Sequence, residues 1–270
     1  MSYDLIEASA ASRRPVELYT FRRDLQSWRY TSADREIVHD SLTYAPAAMS
    51  RGAIESTAET ARQALRITAP HDLPVLQPFK TSPPSGAVTF TLAEYHEGDG
   101  EAAVLWSGRI ASVSWSASTA TINLEPVYSS IRRAGLRRMF QRQCPHVLYG
   151  TACGVNREVH RITGTVDAIT GNDISVPIAA VRPDGDLDGG IIEWDDASGI
   201  ADRRFVLAHA GAALTIGGGA GALAVGQSVR LYPGCDHTPT ACDSKFFNIA
   251  NYGGMPFIPS KNPFGGDPVY

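Results

Sequence analysis

The sequence lacks several features that define common functional classes. No apolar run approaches the length needed to span a membrane, and the first thirty residues carry charges such as Asp4 and Arg13 where a signal peptide has an apolar core. There is no basic surplus, since 24 Lys and Arg stand against 28 Asp and Glu. We therefore expect no membrane span, no sequence-specific nucleic-acid partner, and folding in a reducing cytoplasm.

Catalytic signatures are also missing. The chain contains no Ser-His-Asp elbow, zinc-protease motif or kinase signature. Hydrolysis by a cysteine nucleophile, with Cys144 or Cys153 beside His146 or His209, is an alternative, but it leaves the other cysteines unexplained. The sequence therefore predicts a protein without enzymatic activity.

Cysteine is scarce, and its placement is the most informative feature of the chain. The four cysteines form two widely separated pairs, Cys144 with Cys153 and Cys235 with Cys242. Each pair lies in a stretch crowded with Gly, Pro and small residues, where the backbone can approach a cofactor closely. A metal site built from four thiolates would use every cysteine in the chain. We predict one such site.

The spacing of the cysteines leaves the identity of the metal open. The gaps are eight, 81 and six residues, whereas structural zinc sites usually take ligands about two to four residues apart. Wider gaps suit an iron-sulfur cluster, whose ligands attach at separated corners, although zinc sites with longer loops exist. His146 and His237 follow the first and third cysteines by two positions and are either zinc ligands or hydrogen-bond donors to the site. Disulfides are a further alternative if the compartment is oxidising.

Alternation of apolar and polar residues predicts a chain that is mainly β. Val88, Phe90 and Leu92 alternate with threonines, and Ile122 and Leu124 alternate with polar residues. Further strand candidates are 16–22, 28–31, 36–39, 64–68, 103–107 and 110–116. Residues 1–126 are therefore predicted to form a small β-barrel or β-sandwich domain.

An arginine-rich helix is predicted to follow this domain. Ser129 or Ser130 can cap it, and apolar residues recur at helical spacing as far as Gln143. Its other face carries Arg132, Arg133, Arg137, Arg138 and Arg142. This face is either a solvated surface or a docking surface for an acidic neighbour. The helix and the first cysteine pair together make a linking segment, residues 127–157.

The pattern of short strands then returns. Candidates at 162–169, 173–176, 190–194, 204–207 and 228–232 predict a second small β-barrel over residues 158–232. Residues 233–270 hold the second cysteine pair and aromatic residues among Asn, Gly and Pro, which predicts irregular, packed structure. A metal would tie the predicted helix to this last segment across an 81-residue gap, a cross-link of about 4 to 5 kcal/mol in the entropy model for disulfides.

Several motifs resemble those of one protein family. The motifs are Cys144–Gly150 with Cys153–Val155, Pro233–Asp236 with Cys242, Lys245–Asn248, Gly253–Pro259, Tyr30–Arg35, Tyr44–Pro46 and Arg51–Ile54. They are similar to motifs of the cysteine-containing phage tail-tip hub proteins, a family that includes tail-tip protein L of lambda-like phages and the hub protein of gene transfer agents. The resemblance covers nearly the whole chain.

The resemblance implies a role at the tip of a virion tail. It implies a [4Fe-4S] cluster bound by Cys144, Cys153, Cys235 and Cys242, all of which occupy the motif positions. It also implies a homotrimer between the ring of the distal tail protein and the central hub or fibre protein, made in the cytoplasm of a bacterial host. We therefore expect a structural virion protein; the alternatives are a zinc-bound adaptor protein and a small iron-sulfur electron carrier.

Overall fold

The computed structural model describes residues 15–54, 64–96, 101–132, 135 and 139–259. Over these residues the chain is mainly β, as predicted, and its strands form two sheets. The chain divides into two compact units, Met1–Arg133 and Ala134–Tyr270. No helix within the described ranges is both long enough and apolar enough to cross a membrane.

The first unit is built on a nine-stranded sheet. Its strands are β1 Pro15–Arg23, β2 Gln26–Thr31, β3 Ile37–His39, β4 Leu42–Pro46, β5 Ser50–Arg51, β6 Leu65–Pro70, β7 Thr89–His96, β8 Ala102–Trp115 and β9 Thr119–Pro126. They lie in the order β3-β4-β2-β1-β7-β8-β9-β6-β5. Neighbouring strands are antiparallel, apart from the parallel pair β2 and β4. A 3-10 helix at Pro74–Phe79 adds buried side chains to this unit.

Side-chain alternation across the strands creates the core of the first unit. Ile67 of β6 lies opposite Ile122 of β9, and neither has exposed surface. Phe90 of β7 lies opposite Phe21 of β1, with the two ring centroids 4.8 Å apart. Burying a side chain of this kind contributes roughly 1.5–3 kcal/mol. The sheet is therefore held together largely by apolar contact.

The second unit contains a seven-stranded antiparallel sheet. Its strands are β10 Ile162–Thr165, β11 Ala168–Thr170, β12 Asp173–Ser175, β13 Ile191–Asp195, β14 Ala201–Ala210, β15 Ala213–Ile216 and β16 Ser228–Tyr232, in the order β10-β16-β13-β14-β15-β12-β11. Outside the sheet lie the short helix α1, Pro239–Ser244, and 3-10 helices at Arg157–His160, Pro177–Val181 and Ile249–Asn251. Trp194, Ile192 and Leu231 are fully buried in the core of this sheet.

A buried carboxylate on β13 organises the charges of the second unit. The side chain of Glu193 is 4% exposed and accepts contacts from Arg203, Arg230 and Arg157 at 2.7, 2.9 and 3.2 Å. Burial by itself would raise the pKa of Glu193, but the hydrogen bond from Arg230 and the charges of the other arginines bring it below its ordinary value. Arg157 also lies over the ring of Tyr232, 5.1 Å from its centroid. This network connects the segment after Cys153 to the sheet.

The prediction of an arginine-rich helix that extends to Gln143 is wrong. Val127–Arg132 form a 3-10 helix, and residues 139–143 are not helical; residues 133, 134 and 136–138 lie outside the described ranges. The backbone near Gln143 bonds to the end of the chain instead, because the N–H of Met255 donates to the carbonyl of Gln141 at 2.9 Å. Tertiary hydrogen bonds have replaced the helical ones.

Two strand predictions also need correction. The separate strands predicted at 103–107 and 110–116 are one strand, β8, whose register shifts twice against its neighbours. Gly108 permits this continuity because a Cβ there would lie 2.1 Å from the carbonyl oxygen of Glu125. The single strand predicted at 162–169 is two strands, β10 and β11, and the short strands β4, β5 and β15 were not predicted.

Candidate metal centre

All four cysteines line a single cavity of the second unit. The other lining residues are His146, Leu148, Val155, His237, Thr238, Phe246, Asn248 and Asn251. The cavity has a volume of about 20 Å³. Each cysteine is a free thiol; Cys242 is buried and the other three are half-buried. The two pairs, distant in sequence, therefore meet at one enclosed place.

The first cysteine loop, residues 143–156, is fastened to the second, residues 232–248, through the backbone. The N–H of Cys144 donates to the carbonyl of His237 at 2.9 Å. Tyr149 donates its hydroxyl hydrogen to the carbonyl of Pro233 at 2.6 Å and packs edge-on against Phe246, with ring centroids 6.1 Å apart. Burial raises the pKa of Tyr149 above its ordinary value, so the hydroxyl remains a donor well above neutral pH. One aromatic side chain thus braces both loops.

The residues after the second loop close over Cys144. The N–H of Gly253 donates to the Sγ of Cys144 at 3.4 Å. A Cβ on Gly253 would lie only 2.3 Å from Nε2 of His146, so this close approach requires glycine. The hydroxyl of Tyr252 donates to the carbonyl of Arg142 at 2.6 Å.

The second cysteine loop is shaped by a helix cap and an ion pair. Thr238 caps α1 by accepting the N–H of Ala241 at 3.2 Å, and Cys242 lies within that helix. Lys245, at the end of α1, reaches Asp186 with an N–O distance of 2.7 Å. The cap and the ion pair hold α1 in place, and with it the Cys242 thiol.

The backbone also donates to sulfur in the second loop. The N–H of His237 donates to the Sγ of Cys235 at 3.3 Å, in a left-handed conformation with φ of 63°. Burial raises the pKa of the Cys235 and Cys242 thiols, and the nearness of the other thiolates raises both further. A raised pKa keeps these two thiols protonated at neutral pH, so holding them as thiolates would require a bound cation.

Two histidines line the cavity, whereas Arg142 contacts the chain beyond the cysteines. His146 and His237 both line the cavity, as their positions two residues after a cysteine suggested. Arg142 donates to the carbonyl of Ile258 at 2.9 and 3.2 Å, so it fastens the chain beyond the cysteines. Arg133, Arg137 and Arg138 lie outside the described residues.

Asn248 is a residue of the site that was not predicted from the sequence. Its side-chain nitrogen donates to the carbonyl of Cys153 at 2.6 Å, and its own carbonyl accepts from the Sγ of Cys242 at 3.2 Å. The only signal in the sequence is its place at the end of the Lys245–Asn248 motif. An asparagine among turn residues has no pattern that marks it as a partner of a cysteine.

The thiols border a shared space. Across the described ranges, no three Cys, His, Asp or Glu side chains form a group arranged to hold a metal ion. Soft thiolate ligands select zinc, copper(I) and iron-sulfur clusters. Four free thiols, backbone donors to sulfur and an enclosed cavity therefore suit a thiolate-bound metal or cluster.

Comparisons with known proteins define the class of this chain. The family model described as "Baseplate hub protein, N-terminal attachment domain" matches residues 16–156, and the model described as "Phage conserved hypothetical protein BR0599" matches residues 185–262. These matches define a structural protein of the phage tail baseplate, a component of the virion. The chain belongs to the baseplate hub attachment-domain family, whose model matches more than half of it.

Two individual proteins are similar to this chain in fold or in sequence. A chain from the virion of native gene transfer agent (GTA) particle has the same fold, with a TM-score of 0.80 at 18% identity over 99% of this chain and 95% of that chain. An uncharacterized protein of Xylella fastidiosa (strain 9a5c) is 30% identical over 184 residues. That match covers 62% of this chain but 38% of the relative, so the chain spans well under half of that protein's length. The predictions of a phage tail protein and of a virion location are confirmed.

Proposed function

We propose that this chain is a tail-tip hub component whose second unit binds a [4Fe-4S] cluster through Cys144, Cys153, Cys235 and Cys242. The observation that carries the proposal is the meeting of all four thiols at one cavity. The cluster would join the two cysteine loops, which have little regular structure of their own. Its role in this proposal is structural, since four cysteine ligands leave no iron open for a substrate.

The space between the thiols favours a cluster over a zinc ion. A zinc ion binds sulfur at about 2.3 Å, so four ligands around it leave no room between them. Among the described residues, no three Cys, His, Asp or Glu side chains are arranged to hold a metal ion, as expected for ligands that attach at separated corners of a larger object. Zinc remains the second candidate because His146 and His237, which also line the cavity, are good zinc ligands.

Hydrogen-bond donors to sulfur are a second support for the cluster. The backbone N–H groups of Gly253 and His237 donate to Cys144 and Cys235. Such donors stabilise the negative charge of a thiolate-bound cluster and help to set its reduction potential. These residues belong to the chain itself and do not depend on a partner.

The proposal extends to the oligomeric state of the chain and its neighbours in the tail. We infer a homotrimer that connects the ring of the distal tail protein to the central hub or fibre protein of the same tail. Three chains with two β-units each would present six modules to a sixfold ring. Support comes from the attachment-domain family and from the likeness of the fold to a chain of a gene transfer agent virion.

The decisive measurement is the content of iron, sulfide and zinc in virions purified without oxygen. We expect four irons and four sulfides for each copy of the chain and a brown colour, because a [4Fe-4S] cluster has this composition. One zinc for each chain and no colour would replace the cluster by a zinc site. Mass measurement of the intact complex tests the trimer separately, and a monomer in the assembled tip would contradict it.

A further inference from the structure

Asn248 contacts one cysteine of each pair. Its side-chain nitrogen Nδ2 donates to the carbonyl of Cys153 at 2.6 Å and lies 4.0 Å from the Sγ of the same residue. Its backbone N–H donates to the carbonyl of Cys242 at 2.8 Å, and its carbonyl accepts from the Sγ of Cys242 at 3.2 Å. Asn248 therefore joins the first cysteine loop to the second, in addition to the contacts of Cys144 and Tyr149.

The orientation of the Asn248 amide is itself fixed. Nδ2 of Asn251 donates to Oδ1 of Asn248 at 2.7 Å, so the amide oxygen of Asn248 is occupied and its nitrogen must face Cys153. The preceding residue, Phe247, has a left-handed backbone with φ of 50° although its side chain is 87% exposed. A non-glycine residue in that region is strained. The chain bears this strain at the residue that turns Asn248 towards the cavity.

We propose that Asn248 is a positioning residue that aligns Cys153 and Cys242 and supplies an N–H donor to the Cys153 thiolate, which raises the reduction potential of the bound cluster. The proposal rests on the cluster of the proposed function. Reduction adds one electron to a cluster, and a donor close to a ligand sulfur stabilises that added charge. Removing the donor while keeping the shape should therefore lower the potential.

A purely mechanical role for Asn248 makes a different prediction. If the residue only braces the two loops, its loss should lower thermal stability and leave the potential unchanged. Asn156 offers a matched control in the same unit, because it caps the 3-10 helix at Arg157–His160 by accepting the N–H of Glu158 at 3.1 Å and does not line the cavity. Losing that cap lowers stability without removing a donor from the cavity.

The test compares three variants of the full chain prepared without oxygen: Asn248→Leu, Asn248→Asp and Asn156→Ala. Iron and sulfide content, thermal stability and the midpoint potential of the cluster are measured for each. We expect a lower potential in Asn248→Leu, and a still lower potential in Asn248→Asp, which replaces the donor by a negative charge. Asn156→Ala should lose stability and keep the wild-type potential.

Three outcomes would overturn the inference. Wild-type potentials in both Asn248 variants would assign the residue a bracing role only, with the cluster itself intact. A wild-type chain without iron and sulfide would remove the cluster and the inference together. If neither Asn248 variant folds, Asn251→Leu decides the matter, because it releases the amide without touching a cysteine; we expect a smaller fall in potential, and an unchanged potential would refute the proposal.

Discussion

The two units of this protein are stabilised in different ways. In the first unit the core comes mainly from strands of one large sheet, and facing residues such as Ile67 and Ile122 have no exposed surface. The second unit has a sheet of similar kind, but residues 139–156 and 233–259 lie outside it and contain only short helices. These residues are held by hydrogen bonds and an ion pair, and they surround the four thiols. A cross-link matters most where apolar burial is small.

We expect the largest effect from replacing one of the four cysteines that are proposed to bind the cluster. We expect Cys242→Ser to lose the bound cluster and to destabilise the second unit by about 4–5 kcal/mol, the size of a long-loop cross-link. Hydrogen exchange should accelerate in both cysteine loops while the first unit keeps its protection. Ser244→Ala, an exposed change in the same helix, is the control. Unchanged exchange in the loops would mean that they are held without the cluster.

A large effect confined to the first unit is expected when a large side chain is removed from its core. Phe90 is 1% exposed and contacts the rings of Phe21 and Trp106, so Phe90→Ala should cost about 3–5 kcal/mol. Iron content and exchange in the second unit should not change. Val104→Ala, at an exposed position of β8, should cost less than about 0.5 kcal/mol. Loss of iron in Phe90→Ala would show that the two units do not fold independently.

A smaller effect is expected at the buried carboxylate of the second unit. Glu193→Gln should cost about 1–3 kcal/mol, because neutral Gln accepts weaker hydrogen bonds from the three arginines. The pKa of Glu193 is lowered in the folded chain, so its contribution is present above the ordinary carboxyl pKa and is lost as the pH falls through the folded value. The fall in stability below about pH 4.5 should therefore be shallower in the variant than in wild type. Parallel pH profiles would contradict this assignment.

The smallest effect on stability is expected at the cap of α1 in the second cysteine loop. Thr238→Ala removes the cap of α1 and should cost about 1 kcal/mol, with local fraying around Cys242. Thr240→Ala in the same turn is the control, because its exposed side chain caps nothing. Amide exchange at Ala241 should rise only in the first variant. Equal exchange in the two variants would show that the Thr238 cap does not stabilise the turn around Cys242.

Prediction from the sequence succeeded where the pattern was local. The alternation around Val88–Leu92 and Ile122–Leu124 is reproduced by β7 and β9, and most other predicted strands overlap observed ones. It failed for the helix to Gln143, because the spacing of apolar residues does not reveal that the carbonyl of Gln141 bonds to Met255. Asn248 was missed for the same reason: its partners Cys153 and Cys242 are identified only by the folded loops.

The sequence by itself determined the β class of both units and the four cysteines as the ligand set to consider, since side-chain period and residue type are properties of the linear chain. Only the tertiary structure decided that all four thiols border one cavity and that the residues around it are Asn248, His146 and His237. The reason is physical: Cys153 and Cys235 are separated by the 81 residues that form the second sheet, and contacts over such a distance depend on how the intervening strands pair.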